Sequence, residues 1–202
     1  MKNITLLRND PRLLDLEQKD PKLTGLFNDV GDLPIALSWD AFSFMVFTII
    51  GQQLSVKVVE KLYQKVTQAC GGTLTPKRVL NLSYDALRAL GLSGRKAEYL
   101  HTTAHAFLDG HFHPSKITLD DKDGLFKHLQ KIRGIGPWTV DMFVMFVLDD
   151  MDHFSKKDLG LIHGYNRFFK RDLSPDQIEK DALNWRPYRS IVAHYLWHVH
   201  DR

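Results

Sequence analysis

Residues 125–147 read LFKHLQKIRGIGPWTVDMFVMFV, and this stretch decides the fold. Leu125, Leu129 and Ile132 recur at the three- and four-residue spacing of one helical face. A strongly apolar stretch follows Pro137, and proline suits the first position of a helix because its missing N–H would have no partner there. The pattern therefore predicts a helix-hairpin-helix motif within residues 121–149, with a tight reversal of the chain between its two helices.

The turn between these helices is built from backbone groups. Gly134 and Gly136 permit backbone conformations that a side chain would block. The N–H groups of the turn lie at a helix N-terminus, where the peptide dipoles favour an anion. The turn therefore predicts that Gly134, Ile135 and Gly136 bind a DNA phosphate through their backbone. An ordinary corner between two helices is the alternative interpretation of the same glycines.

Helical spacing of apolar residues continues along the rest of the chain, and no segment shows the convincing alternation of a strand. The sequence therefore predicts one all-α domain over residues 1–202, and its length permits two helical lobes that flank a DNA-binding and active-site groove. The first lobe covers residues from about 35 to 115, and the second covers about 116 to 202 plus the N-terminal segment. The best candidate for their connection is 111–117, which contains Pro114 and has no helical period. Helices are predicted at residues 11–18, 39–50, 54–69, 76–80, 84–90, 94–109, 121–132, 138–149, 159–170, 175–184 and 187–200.

The composition excludes several classes of protein. Of the 202 residues, 44% are hydrophobic and 25% are charged, and no apolar run approaches the ~18–20 residues that a membrane span needs. The N-terminal segment is too poor in apolar side chains to be a signal peptide. Cys70 is the single cysteine, which excludes an intrachain disulfide, a four-cysteine zinc site and a cysteine-held iron-sulfur cluster. The net charge of +3 permits a nucleic-acid partner without indicating one.

Four segments of the chain resemble the helix-hairpin-helix-GPD superfamily, in its DNA-3-methyladenine glycosylase II (alkylpurine DNA glycosylase) branch. They are LQKIRGIGPWTVDMF at 129–143, IIGQQLSVKVVEKL at 49–62, LGLSGRKAEYL at 90–100 and WRPYRSIVAHYLW at 185–197. The resemblance implies base excision repair by a hydrolase. The enzyme would flip an alkylated purine, such as 3-methyladenine or 7-methylguanine, out of duplex DNA and excise it, leaving an abasic site.

Asp158 is the catalytic residue that the resemblance implies, because the family places an aspartate at the start of the helix that follows the hairpin. Breaking an N-glycosidic bond builds oxocarbenium character on the sugar, and a fixed carboxylate stabilises that charge. The carboxylate can also orient or deprotonate the attacking water. Asp158 equally suits the N-cap of the predicted 159–170 helix, and the two roles are compatible.

The sequence around Asp158 departs from the family pattern. Relatives usually carry an acid directly before the catalytic aspartate and a proline nearby, whereas this chain has Lys156 and Lys157. Three other acids close to the hairpin are fallback candidates: Asp149, Asp150 and Asp152.

Trp138 occupies the position where superfamily members that also cut the DNA strand carry a lysine nucleophile. Because tryptophan cannot form a Schiff base, we expect base removal without lyase activity. Trp138 and Trp197 also match family positions that line the base pocket, where aromatic faces attract a cationic alkylated base by ~0.5–2 kcal/mol per contact. Met142 and Phe44 are further pocket candidates. Packing in the core is the alternative for each of these side chains.

Further residues are candidates for contacts with DNA. The resemblance places the wedge that fills the vacated base stack in the IIGQQLS segment, which makes Gln53 the first candidate and Leu54 the second. Lys57 and Arg133 are candidates for phosphate contacts. The resemblance also implies a structural Na⁺ or K⁺ at the hairpin backbone, residues 131–136, and no other cofactor. The pairs His101 and His105, and His194 and His198, lack a nearby cysteine or HExxH-like acid, so no metal held by side chains is predicted.

The expected partner is double-stranded DNA that contains alkylated bases. We expect the protein to be a monomer and to bind no membrane. The expected compartment is the cytoplasm, in association with a bacterial nucleoid, or the nucleus of a eukaryote. Three alternatives stay open: a non-catalytic helix-hairpin-helix DNA-binding protein, a glycosylase for another damaged base, and a helical protein-interaction domain.

Overall fold

Twelve α-helices and one two-stranded sheet form the described part of the computed structural model, residues 2–109 and 119–202. The predicted connection at 111–117 lies outside the described residues. In chain order the elements are β1 (Lys2–Leu6), α1 (Pro11–Lys19), α2 (Leu23–Val30), β2 (Leu33–Leu37), α3 (Ala41–Gly51), α4 (Val56–Ala69), α5 (Pro76–Leu80), α6 (Tyr84–Ala89), α7 (Gly94–Leu108), α8 (Lys122–Leu129), α9 (Pro137–Phe146), α10 (Leu159–Phe169), α11 (Pro175–Ala182) and α12 (Arg189–Asp201). Short 3-10 helices span Leu119–Asp121 and Leu183–Trp185. The helical fold class is confirmed.

Polar side chains at the N-termini explain where many of these helices begin. At each such position a side-chain oxygen accepts a hydrogen bond from a backbone N–H of the first turn, which would otherwise have no intrahelical partner. The capping residues are Asp10, Asp40, Thr75, Ser83, Ser93, Asp121, Asp158 and Ser174. At α11 the cap is reciprocal, because Gln177 also accepts from the backbone N–H of Ser174.

Among the described residues, no helix is long and apolar enough to cross a membrane.

The expectation that the chain contains no strand is wrong near the N-terminus. Strands β1 and β2 pair antiparallel, with Lys2 opposite Leu37 and Leu6 opposite Leu33. In β2 the side chains of Leu33, Ile35 and Leu37 are buried, which is the two-residue alternation of a strand with one covered face. The alternation in β2 is only five residues long. Strand β1, with which β2 pairs, lies about thirty residues earlier in the chain.

Helix α2 was also absent from the sequence prediction. Leu23, Leu26 and Phe27 have helical spacing and are fully buried. However, no side chain caps the helix, since Lys22 occupies the N-cap position without such a bond. Gly31 ends the helix at φ +74°, a left-handed conformation that glycine adopts without steric cost.

The described chain divides into two units, which we call the terminal unit (residues 1–38 and 144–202) and the central unit (residues 39–143). The boundary lies between Phe143 and Val144, inside α9, and not near residue 115 as the sequence predicted. The hairpin therefore belongs to the central unit. Contacts within this unit explain the difference, because Gln52 and Tyr99 both pack against Gly134.

The core of the terminal unit joins its two separated chain segments. Phe27 on α2 packs edge-to-face on Tyr195 of α12 at a centroid distance of 4.7 Å. The Tyr195 hydroxyl donates to the carbonyl oxygen of Gly31 at 3.1 Å. Buried Trp185 donates its indole N–H to Asp20 Oδ2 at 3.0 Å. Helices α1 and α2 are thus tied to the C-terminal helices.

The core of the central unit is an apolar cluster shared by the five helices α3 to α7. It is built mainly from aliphatic side chains with helical spacing: Val46, Ile49, Ile50, Val59, Val66, Val79, Leu87, Ala97, Leu100 and Ala104. Small residues Ala97 and Ala104 let α7 lie close to its neighbours. This packing holds the end of α3 beside the first turns of α7.

Candidate functional site

Asp158 is the N-cap residue of α10, with backbone angles of φ −87° and ψ 110°. Its Oδ1 accepts hydrogen bonds from the backbone N–H of Leu161 at 2.8 Å and from the indole N–H of Trp197 at 2.9 Å. The side chain is buried, with the residue 7% exposed. Because donors from α10 and α12 hold one oxygen, the direction of the carboxylate is set before any substrate binds.

Trp197 is itself held by two aromatic neighbours in the terminal unit. Phe146 stacks on it at a centroid distance of 5.6 Å and an interplanar angle of 25°, and His194 packs edge-on at 5.4 Å. Desolvation lowers the pKa of His194 to about 4, so this ring is neutral at physiological pH. Trp197 remains partly exposed. Trp197, which contacts the Asp158 carboxylate, is therefore packed against two uncharged rings.

Two glycines of α10 allow α12 to approach closely enough for this contact. A Cβ atom at Gly164 would overlap the backbone carbonyl of Leu196. A Cβ atom at Gly160 would lie 3.1 Å from Asp158 Oδ1 and 3.2 Å from Trp197 Cδ1, which is tighter than ordinary van der Waals contact. The sequence reasoning did not single out these residues, although their four-residue spacing on one helical face was a visible signal.

The Lys156 side chain is directed to α11. Its ammonium lies 3.0 Å from Asp176 Oδ1 and 2.8 Å from Glu179 Oε2, and these hydrogen bonds, chiefly that to Glu179, raise the pKa of Lys156 above its usual value. Lys157 is exposed. The two lysines that depart from the family pattern therefore coexist with a fully formed Asp158 cap.

The three fallback acids have other partners. Asp149 accepts from the backbone N–H of Ser38 at 2.6 Å and also from its hydroxyl. Asp150 Oδ1 accepts from the backbone N–H of Asp152 at 2.9 Å. Asp152 pairs with Arg189 at 2.8 Å and with Arg186 at 3.3 Å. These bonds tie together the loop before α10, the end of β2 and the start of α12, which is a structural use of all three carboxylates.

The hairpin of the central unit lies between α8 and α9. Gly134 has φ +95°, and a Cβ atom there would overlap the ring of Tyr99. Its carbonyl accepts from the Gln52 amide at 2.8 Å. Ile135 is buried, whereas Gly136 is exposed, and within the described residues the Gly136 N–H donates to no acceptor. This N–H directly precedes the first residue of α9, so it is available to an anion from outside.

The segment between α3 and α4 presents the candidate wedge residues. Gln53 is exposed and has φ +60°, a left-handed conformation that is uncommon for a residue with a side chain. Leu54 is 39% exposed, Val56 is 54% exposed, and Lys57 is also exposed. Gln53, Leu54 and Lys57 are thus all exposed in this segment of the central unit.

Arg133 forms an ion pair with Glu98 of α7 while its side chain stays 70% exposed. An exposed pair of this kind contributes little to stability, on the order of 0–1 kcal/mol. The guanidinium can therefore exchange this partner for a phosphate at small cost. Its role in DNA binding stays a prediction.

The four candidate pocket residues differ in exposure. Trp138 and Trp197 are partly exposed, whereas Phe44 and Met142 are both buried at 4%. Phe44 packs on Trp39 at 5.8 Å and on Phe143 at 6.3 Å, which is a core environment. The two tryptophans thus have surface with which to stack on a base. The assignment of all four to a base pocket stays a prediction.

The histidines belong to no three-residue metal site in the described residues. His101 Nε2 lies 2.9 Å from the carbonyl oxygen of Leu82, and its ring packs on Tyr84 at 4.4 Å. Within residues 2–109 and 119–202, no three His, Cys, Asp or Glu side chains come together in a way that could hold a metal ion.

The chain is similar to known proteins over most of its length. YfjP of Bacillus subtilis is 32% identical over 184 residues, which cover 87% of this chain and 64% of that protein. DNA-3-methyladenine glycosylase 2 of Escherichia coli is 30% identical over 202 residues, which cover 93% of this chain and 69% of that protein. The crystal structure of a DNA-3-methyladenine glycosidase from Bacillus halodurans matches with a TM-score of 0.80 and 27% identity, over 99% of this chain and 93% of that one.

The chain spans only about two thirds of the length of the first two relatives, 64% and 69%. Residues 46–187 match the family described as HhH-GPD superfamily base excision DNA repair protein. This match includes the exposed segment with Gln53, the hairpin at Gly134 and the capping carboxylate of Asp158. The protein therefore belongs to the HhH-GPD superfamily of base excision DNA repair proteins.

Proposed function

We propose that the protein is a monofunctional DNA glycosylase that flips alkylated purines out of double-stranded DNA and hydrolyses their bond to deoxyribose. The observation that carries the proposal is the Asp158 carboxylate, held by the Leu161 N–H and the Trp197 indole at the start of α10. A buried acid in a fixed direction is the group that this reaction needs. The relatives named as DNA-3-methyladenine glycosylases support the choice of an alkylated purine as substrate.

The chemistry requires little help for the leaving group. Alkylation at N3 or N7 makes the purine cationic, so the electron pair of the C1′–N bond leaves with a base that becomes neutral. The sugar passes through an oxocarbenium-like state, whose positive charge the Asp158 carboxylate stabilises. Water then adds to C1′ and loses a proton, for which Asp158 is the nearest proposed base. The products are the free purine and an abasic site.

Partly exposed aromatic side chains support a preference for a cationic base. Trp197 contacts Asp158 and is partly exposed, and Trp138 at the start of α9 is partly exposed as well. Each indole face attracts a cation by ~0.5–2 kcal/mol. A neutral base gains only the stacking part of this energy. Selectivity for alkylated purines therefore follows from charge as well as from shape.

The contacts with DNA are assigned to the central unit. The exposed N–H of Gly136 suits a backbone phosphate, with Gly134 and Ile135 shaping the turn and Arg133 and Lys57 adding positive charge. Gln53 is the first candidate for the wedge, because it projects from a left-handed turn with its side chain exposed. Leu54 is the second.

A Na⁺ or K⁺ ion at the hairpin is part of the proposal. Residues 131–136 offer backbone carbonyl oxygens, which are the hard ligands that such ions take. When bound, the ion would supply positive charge between these oxygens and a DNA phosphate. The phosphate contact of Gly136 through its own N–H does not depend on the ion.

The test of the proposed function is the release of bases from DNA treated with a methylating agent. We expect the protein to liberate 3-methyladenine and 7-methylguanine, identified by chromatography against authentic bases, and to leave undamaged DNA intact. A parallel incubation with DNA that contains 8-oxoguanine or hypoxanthine serves as the comparison. Release of one of those neutral bases in place of the methylated ones would move the protein to a different branch of the superfamily.

We also expect no lyase activity. Trp138 lies where a strand-cutting relative would have its lysine nucleophile, and an indole cannot attack C1′ to form a Schiff base. Borohydride added during the reaction should therefore trap no covalent protein–DNA adduct, and the abasic product should stay uncut until alkali is added. A trapped adduct on denaturing gels, with damaged but not with undamaged DNA, would show that another amine performs this chemistry.

A further inference from the structure

Lys96 in the first turn of α7 binds the end of α3. Its ammonium donates to the carbonyl oxygens of Ile50 at 2.8 Å and of Gln52 at 2.9 Å. Burial lowers the pKa of Lys96. Charge-assisted hydrogen bonds are about twice as strong as neutral ones, and a partly desolvated ammonium has few other partners. The backbone of the turn that leads to Gln53 is therefore held by a cation.

Gln52 extends the same connection to the hairpin. While its carbonyl accepts from Lys96, its side-chain amide donates to the carbonyl oxygen of Gly134 at 2.8 Å. Gln53 follows directly, with φ +60° and an exposed side chain. One residue thus joins the candidate wedge turn to the candidate phosphate-binding turn, although the two are 82 positions apart in sequence.

The same part of α7 contacts the hairpin directly. Tyr99 lies so close to Gly134 that no side chain fits there, and Glu98 pairs with Arg133. Residues 96–99 are one turn of a helix that is well packed in the core of the central unit. This turn is a rigid support beneath both DNA-contacting segments.

We propose that Lys96 is a positioning residue, which fixes the turn before Gln53 against the hairpin so that the wedge and the phosphate contact engage the duplex together. The inference rests on the proposed function. The wedge is needed when the target base must leave a paired stack, and it matters less when the base is already unpaired. Loosening the turn should therefore slow excision in proportion to the cost of flipping.

The experiment compares Lys96→Met with the wild type on two duplexes. Each duplex carries one 7-methylguanine, opposite cytosine in the first and opposite a tetrahydrofuran abasic analogue in the second. Methionine removes the donors and keeps an unbranched side chain. We expect kcat/KM to fall roughly 10- to 100-fold on the paired duplex, since a displacement near 1 Å has costs of this order, and by about threefold or less on the unpaired one.

Three further variants separate positioning from a general structural effect. Lys96→Arg keeps donors for both carbonyls and should restore most of the activity on the paired duplex. Gln52→Met breaks the bond to Gly134 and should show the same selective loss, which provides a second route if Lys96→Met does not fold. Lys77→Met replaces an exposed lysine of α5 and should match the wild type on both duplexes. An equal loss on the two duplexes, or none on either, overturns the proposal.

A binding measurement tests the inference without relying on excision. In a duplex with a tetrahydrofuran site beside 2-aminopurine, insertion of the wedge unstacks the 2-aminopurine and raises its fluorescence. Lys96→Met should still bind this duplex but should lose most of the fluorescence rise. A full rise with Lys96→Met contradicts the positioning role even if the wild type releases no base. Failure of the wild type to excise methylated purines, with the fluorescence difference intact, counts against the proposed function alone.

Discussion

Replacing Asp158 with asparagine is expected to lower the rate of base excision by roughly 10²- to 10³-fold, the effect of removing one preorganised electrostatic group from an active site. Asparagine has nearly the same shape and caps a helix as well as aspartate does. The bonds from the Leu161 N–H and the Trp197 indole can both be kept, because the amide retains one oxygen acceptor. The substitution removes the negative charge. Single-turnover excision of 7-methylguanine measures the effect.

Two comparisons make this result interpretable. Asp158→Ala also removes the cap, so it should lower the free energy of unfolding by about 1 kcal/mol, whereas Asp158→Asn should change it little. Binding to a duplex with an abasic analogue should survive in Asp158→Asn. Asp176→Asn, which neutralises an exposed acid of α11, is the control for charge alone. Excision by Asp158→Asn at more than a third of the wild-type rate would remove Asp158 from the chemistry and favour another acid.

Replacing Gly134 with alanine is expected to damage both stability and DNA binding. The left-handed φ of +95° costs a residue with a Cβ atom about 1–2 kcal/mol, and overlap with the Tyr99 ring adds roughly 1–3 kcal/mol. Relief of this strain must move the turn and its N–H groups. Loss of one hydrogen bond to a charged phosphate, about 1.5–3 kcal/mol, corresponds to roughly tenfold weaker binding or more. Thermal unfolding and a titration with labelled duplex measure the two effects.

Gly136→Ala is the matched comparison for stability, because a Cβ atom at this position meets nothing within 4 Å. It should unfold near the wild-type temperature. The double variant Gly134→Ala, Tyr99→Ala removes the ring that the new methyl would meet, so part of the lost stability should return while the cost of the positive φ remains. If Gly134→Ala binds DNA as tightly as the wild type and is equally stable, the backbone turn is not the phosphate site.

The sequence predicted those parts of the fold that depend on local signals. The predicted helices at 84–90, 94–109 and 175–184 begin at the same residues as α6, α7 and α11, and in the structure a serine caps the first turn of each. The hairpin was visible for a similar reason, since two glycines and a proline mark its turn. Helix α2 and strand β2 lack such signals. Each depends on contacts with distant residues, such as that between Phe27 and Tyr195.

The candidate site was predictable as a set of residues but not as an arrangement. Asp158 could be located by its place after the hairpin. Its bond to Trp197, 39 positions away, could not be predicted, because it depends on the packing of α10 on α12. The bonds that Lys96 and Gln52 make were not predictable, because an isolated lysine or glutamine in a helical sequence is usually a solvated surface residue. Their use becomes evident only when the end of α3 lies beside α7. Local signals therefore predict elements, and long-range packing decides which side chains meet.

The left-handed backbone of Gln53 has a consequence for any attempt to make this protein more heat-resistant. Glycine would relieve a conformational cost of about 1–2 kcal/mol there, and it would do the same at Lys170, the C-cap of α10, which has φ +51°. A screen for thermal tolerance alone would reward both changes equally. Lys170→Gly removes no residue of the proposed site, whereas Gln53→Gly removes the side chain of the proposed wedge. Selection for heat resistance alone would thus lower the proposed excision activity, a stability–activity trade-off that arises at one backbone dihedral angle.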